Sequence, residues 1–177
     1  MNNEKKRFVR SSKTGKFSIG LFRTTRNILG YSNIEEIISE DAVIKHDNLR
    51  IARFRSTQEI KCQRKELWNL KQAIKAIHNN IMPDTNSTGD NNITGQKTRP
   101  YRKVQNGQFQ ISLFNFNRIV RTGNTMVSEL IINNIKVCIQ YSQYDQRTHK
   151  WKNQQIWCSP EEINDIKSAI DKLILKE

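Results

Sequence analysis

The chain has 177 residues, with 30 Lys and Arg against 17 Asp and Glu, a formal charge of +13 at pH 7. No run of ten apolar residues occurs, which argues against a membrane-spanning helix and against the apolar core of a signal peptide. Three cysteines, Cys62, Cys138 and Cys158, are too few for a disulfide scaffold, so the expected setting is intracellular, a nucleus or a virion, and not secreted.

Residues 1–14 read as a basic tail. Lys5, Lys6, Arg7, Arg10 and Lys13 crowd there with Glu4 the one acid, and no apolar period is visible. Phe17, Ile19 and Leu21 then alternate with polar residues, the period of a half-buried strand. Glu36–Ile44 reads as a second strand. Leu49–Arg55 reads as a third, with Arg50, Arg53 and Arg55 toward solvent, and Glu59–Cys62 as a fourth. Leu67, Leu70, Ile74 and Ile77 make the apolar stripe of a helix, although Gln63 stands where a capping residue is wanted. Residues 79–106, rich in Asn, Thr, Gly and Pro, read as a flexible linker. A second unit follows over 107–177. Phe109, Ile111 and Leu113 repeat the first alternation. Met126–Ile132, Ile135–Tyr141 and Gln154–Cys158 supply further strands. Ser159-Pro160-Glu161-Glu162 is a capping box with proline at the first helical position, and Ile163, Ile166, Ile170 and Leu173 form the stripe behind it.

The two units are copies. At an offset of 92, Gly15, Phe17, Ile19, Leu21, Phe22 and Arg26 meet Gly107, Phe109, Ile111, Leu113, Phe114 and Arg118. At an offset of 96, Ile60, Cys62, Glu66, Lys71, Ala73 and Ile74 meet identical residues. Two copies cannot form a solenoid, which needs at least three repeats, so a pseudo-dimer within one chain is expected. The fold class is α+β: two tandem units, each a four-stranded antiparallel sheet followed by one helix. The first spans 15–78.

The chain offers few motifs that carry chemistry. Gly89, Gly95, Lys97 and Thr98 resemble a phosphate-binding loop only faintly, because the spacing is too long and no strand precedes it. His46, His78, His149 and the cysteines lack metal-ligand spacing, and no nucleophile and base recur together. No enzyme activity, cofactor or metal is expected. Cys62 and Cys158, equivalent and at strand ends, read as buried thiols. Phe17, Phe109, Phe22 and Phe114 read as candidates to face the helices, and Trp68 as helix surface or interface.

The charge points instead to a polyanion. Tyr141, Tyr144, Arg147, Lys150, Trp151 and Lys152 interleave rings with cations over a strand end and hairpin, as a surface for single-stranded nucleic acid does. Tyr144 and Trp151 are expected to be exposed. Lys13, Lys16, Arg23, Arg26, Arg53, Arg55, Arg118 and Arg121 are the remaining candidate cations.

Residues 109–120 and 135–173 resemble the transcriptional coactivator family of positive cofactor four, with the Whirly and Pur-alpha families sharing the broad plan. The matching run is an opening strand, a strand ending in aromatics, a basic hairpin, a short apolar strand and a proline-acid helix cap. The resemblance implies binding of single-stranded DNA on the strand surfaces of a dimer, with Arg118, Tyr144, Lys150, Trp151 and Lys152, and Arg26 and Arg53 in the first unit, at the strand. The departures are two units per chain, Gln155 where that family has glycine, Cys158 and Cys62 where it has leucine, and a first unit that reads as lacking the long hairpin. The expected function is a single-stranded DNA-binding protein of transcription or replication, meeting that machinery and no membrane. The alternatives are a structural nucleic-acid component of a virion or organellar ribonucleoprotein, holding RNA or packing a genome, and an enzyme accessory subunit whose sheet contacts protein.

Overall fold

A computed structural model describes residues 4–29, 34–50, 54–78, 100–115, 118–121, 129–132 and 135–174. The first sheet has the order β1 (Glu4–Thr14), β2 (Phe17–Leu29), β3 (Ile34–Arg50), β4 (Phe54–Gln63), every pair antiparallel, and α1 (Glu66–His78) follows. The second is built from β5 (Arg102–Asn106), β6 (Phe109–Asn115), β9 (Ile135–Asp145) and β10 (Lys150–Cys158), in the order β10-β9-β6-β5, with α2 (Ile163–Ile174) behind. A two-stranded ribbon of β7 (Arg118–Arg121) and β8 (Glu129–Ile132) stands where the first unit has the far ends of β2 and β3. The expected pair of sheet-and-helix units is therefore present.

Alternation decides which face each strand buries. Phe17, Ile19 and Leu21 turn inward with Ala42, Ile44 and Ile60; in the second unit Phe109, Ile111 and Leu113 turn inward with Val137, Ile139 and Ile156. Both helix stripes bury completely against these faces, in one core shared by the two units. Cys62 and Cys158 lie in that core, where burial pushes the Cys62 thiol up to about 12 and the Cys158 thiol higher still.

The units pack crosswise. α1 lies against β5 and β6, and α2 against β1 and β2, so each helix mainly covers the other unit's sheet. The helices also touch, through Lys71 Nζ and Asp171 Oδ1 at 2.5 Å. Gly15 and Gly107 have φ of +55° and +56° at the first central position of two-residue hairpins, the place a type II′ turn reserves for glycine. A Cβ on Gly15 would collide with Asp165 of α2, and one on Gly107 with Asn69 of α1. Each hairpin thus nests on the opposite helix. Beside the first, Lys16 Nζ meets Glu162 Oε1 at 2.6 Å and Lys172 Nζ donates to Thr14 Oγ1 at 3.1 Å. The glutamate half of the capping box forms, with Ser159 N donating to Glu162 Oε2 at 2.9 Å, while the Glu162 N–H bonds the Ser159 carbonyl and a turn over 160–162 precedes the regular helix, which starts at Ile163.

Four expectations need correction. Residues 4–14 are not a tail but the edge strand β1. Its inward residues Arg10, Ser12 and Thr14 are polar, and a bulge at Val9 breaks its phase, so no apolar period was there to see. Residues 102–106, placed in the linker, are strand β5 for the same reason: only Val104 among them is apolar. Glu36–Ile44 belongs to one long β3 that continues to Arg50, and Phe54 and Arg55 open β4, so Leu49–Arg55 is not a separate strand; 51–53 lie outside the described residues. The first unit also has the long hairpin. Leu49 pairs with Arg55 where Tyr144 pairs with Trp151, and Arg50 with Phe54 where Asp145 pairs with Lys150. The phosphate-loop resemblance over 89–98 lies outside the described residues.

Candidate nucleic-acid interface

The helices cover one face of each sheet; the other faces outward. On β9 the outward residues are Lys136, Cys138, Gln140, Ser142 and Tyr144, and on β10 Trp151, Asn153, Gln155 and Trp157. Tyr144 and Trp151 sit opposite one another with ring centroids 5.5 Å apart, and Trp151 is 65% exposed. Six residues along β10, about 20 Å at the rise of a strand, Trp157 packs on Phe114 of β6 at 5.0 Å. Between the two ring pairs runs a ladder of amides and hydroxyls. Gln155 Nε2 donates to Gln140 Oε1 at 3.1 Å, Gln140 Nε2 to Ser142 Oγ at 3.1 Å, and Ser142 Oγ to Asn153 Oδ1 at 2.9 Å. On β6, Gln110 Nε2 donates to Ser112 Oγ at 3.0 Å. Among the described residues this face carries no Asp or Glu.

The first sheet's outward face differs. Phe8, Phe22 and Lys6 cluster at one side: the rings meet edge-on at 5.6 Å, and Lys6 Nζ sits 4.7 Å above the Phe22 ring. Gly20 leaves a groove of about 410 Å³ beside them, floored by Val43 and walled by Lys45, Glu59 and Lys61. Lys61 and Lys45 reach Glu59 at 2.9 and 3.5 Å, and these lysines, Lys61 foremost, hold its carboxyl below the usual range.

The expected binding residues divide. Tyr144 and Trp151 are exposed as read, and Arg147 and Lys150 are exposed on the hairpin beside them. Lys13 lies on the outward side of β1, paired with Ser18. Tyr141 is a correction: it is 1% exposed, turned inward and packed on Phe109 at 4.8 Å, because it lies in phase with Ile139 and Val137. Lys152 turns to the opposite face from Trp151 and pairs with Asp145 at 2.5 Å; this bond, with the Arg147 N–H, draws that carboxyl down to about 2. Lys16 is engaged at the unit boundary. Arg23 pairs with Glu40 at 3.0 Å, and Arg64 with the same carboxyl, which together keep Glu40 ionised below its ordinary range. Arg26, Arg55, Arg118 and Arg121 are placed on strands by register alone, and Arg53 lies outside the described residues.

Reading by sequence missed Lys6, Phe8, Lys45, Lys61, Gln140 and Gln155. It also turned Phe22 and Phe114 toward the helices. The signal for those two was present: each follows an inward Leu directly, so alternation puts it outside. Trp68 is 55% exposed on α1, beside a second hollow of about 540 Å³ that involves Ile38 and Leu173 on the helix side.

Among the described residues no group of three His, Cys, Asp or Glu is placed to hold a metal ion, and no helix is long and apolar enough to cross a membrane. No protein-family model matches the chain, and no curated protein is similar to it.

Proposed function

We propose that the protein binds single-stranded DNA, without catalysis, in transcription or replication, and that its likeness to the positive cofactor four and Whirly families reflects this role. One observation carries the reading. The outward faces of the two sheets hold three aromatic pairs, Phe8–Phe22, Phe114–Trp157 and Tyr144–Trp151, with Lys6 over the first and Lys136 paired with Phe114 of the second. Unpaired bases offer π-faces to such rings, and phosphates meet the cations, each stacked base contributing about 1–3 kcal/mol. A duplex hides its base faces and gains only the charge term.

Fluorescence anisotropy with matched single-stranded DNA, duplex DNA and single-stranded RNA tests it. Single-stranded DNA is expected to bind most tightly. Equal or tighter binding of RNA would move the role to a ribonucleoprotein, since the 2′-hydroxyl is what distinguishes the two locally. No binding of any of them at physiological salt would overturn the reading.

A further inference from the structure

The two outward faces descend from one ancestral face, yet equivalent positions now carry different chemistry. Lys45 pairs with Glu59 across β3 and β4; the same two positions on β9 and β10 are Gln140 and Gln155. Lys61 corresponds to Trp157, Gly20 to Ser112, and Arg55, by register, to Trp151. Ions in the first unit have become amides, hydroxyls and rings in the second, or the reverse.

Cations and amides recognise different parts of a strand. Lysine contacts to phosphate position a nucleic acid without reading it, whereas side-chain amides offer donors and acceptors together and match base edges. An amide carries two donors and two acceptor sites. In the ladder Asn153 spends one acceptor site, and Gln155 one donor. Both side chains are exposed, so the rest of their capacity faces outward. The ladder bonds fix the amide orientations in advance, and the rings at each end bracket the row.

We infer that the halves have divided the work: the second unit's outward face reads unpaired bases through Gln140, Gln155 and Asn153, and the first unit's holds phosphates through Lys45 and Lys61. This rests on the proposed binding of single strands. It implies a base preference, which a wholly phosphate-held strand would not have.

The test is anisotropy on short homopolymeric strands of thymine, cytosine and adenine at several salt concentrations. The wild-type chain is expected to prefer one base over the weakest by about tenfold, within the range of an amide–base contact. Gln140→Leu with Gln155→Leu should bring that ratio near one and leave the salt slope unchanged. Lys45→Gln with Lys61→Gln should weaken all strands alike, preserve the ratio, and make the slope of log affinity on log salt shallower by about 0.7, the value for one phosphate, because Glu59 already offsets one of the two charges. Circular dichroism of each variant checks that it folds; if the leucine pair unfolds the chain, Asn153→Ala should lower the ratio instead. An unselective wild-type protein, or a ratio that follows the lysines and ignores the amides, overturns the division of work while leaving single-strand binding standing. Absence of any wild-type binding, even at low salt, overturns both.

Discussion

Gln58 and Gln154 make the same bond in opposite directions across the boundary of the two sheets. Gln58 Oε1 accepts from the backbone N–H of Trp157 at 2.5 Å; Gln154 accepts from Lys61 N at 2.7 Å and donates to Lys61 O at 3.1 Å. Each glutamine and its target are related by the repeat offset of 96. Edge strands β4 and β10 are thus joined by side chains in place of a backbone ladder, and neither edge is left bare for another chain.

Gln58→Ala should therefore destabilise the whole chain. The Trp157 bond is partly buried and the Lys61 bonds are exposed, so Gln58→Ala is expected to cost about 1–3 kcal/mol and Gln154→Ala about 1. Urea denaturation measures both. Two neutral substitutions would mean that the sheet edges are held by the core alone.

A fragment of residues 100–177 should dimerise. Alone, its sheet loses α1 and its α2 stripe loses β1 and β2, and a second copy supplies both surfaces. Analytical ultracentrifugation decides; a folded monomer at high concentration would contradict the pseudo-dimer.

Tyr144→Ala with Trp151→Ala should weaken single-strand binding by about 1–3 kcal/mol per stacked base lost. Both rings are exposed, so Tm should barely move. A large fall in Tm with unchanged affinity would assign the rings to packing instead.

His46 makes stability depend on pH near neutrality. Its side chain is buried against Phe17 at 4.5 Å, neither ring nitrogen has a hydrogen-bond partner, and Glu162 Oε2 stands 3.4 Å away. Burial outweighs that carboxylate and lowers the imidazole pKa. The unfolded chain takes up its proton near pH 6.5 while the folded protein resists. Stability is thus full above that pH and falls as the pH drops below it, until the folded imidazole protonates too. Depressed Glu40 and Glu162 add a further loss below the ordinary carboxylate range. Scans of Tm from pH 8 to 5 should show the first decline, and His46→Phe, which keeps the ring contact, should flatten it.

Deleting residues 1–14 should destabilise the fold as well as weaken binding. The deletion strips β1 from β2 and from α2, and removes Lys6, Phe8 and Lys13 from the outward face. A shortened chain with unchanged Tm would show that β1 contributes no stability.

Strands with an apolar face were legible: Phe17, Ile19 and Leu21, and their copies, showed the buried face and even the repeat. The edge strands were not, because β1 turns polar residues inward and β5 turns in Val104 between the polar Arg102 and Asn106, so neither shows an apolar period. Pairing across the boundary was beyond reach for another reason. Gln58 and Gln154 look like any glutamine until the partner strand is beside them. The binding surface was half visible. Tyr144 and Trp151 stood out as rings among cations, whereas the ladder of Gln140, Gln155 and Asn153 is spread over two strands and becomes a row only when they pair. Tyr141 misled because its neighbours in sequence are polar while its neighbours in space are Phe109 and the core.

The crossed helices give the duplication a kinetic meaning. Two separate copies exchanging helices in this way would meet at a rate set by their concentration and fall apart on dilution. Joined in one chain, the second copy is always present at the effective concentration that covalent linkage supplies. The same contacts then survive at the few molecules a cell or particle holds, and the Tm of the full chain should not change on dilution.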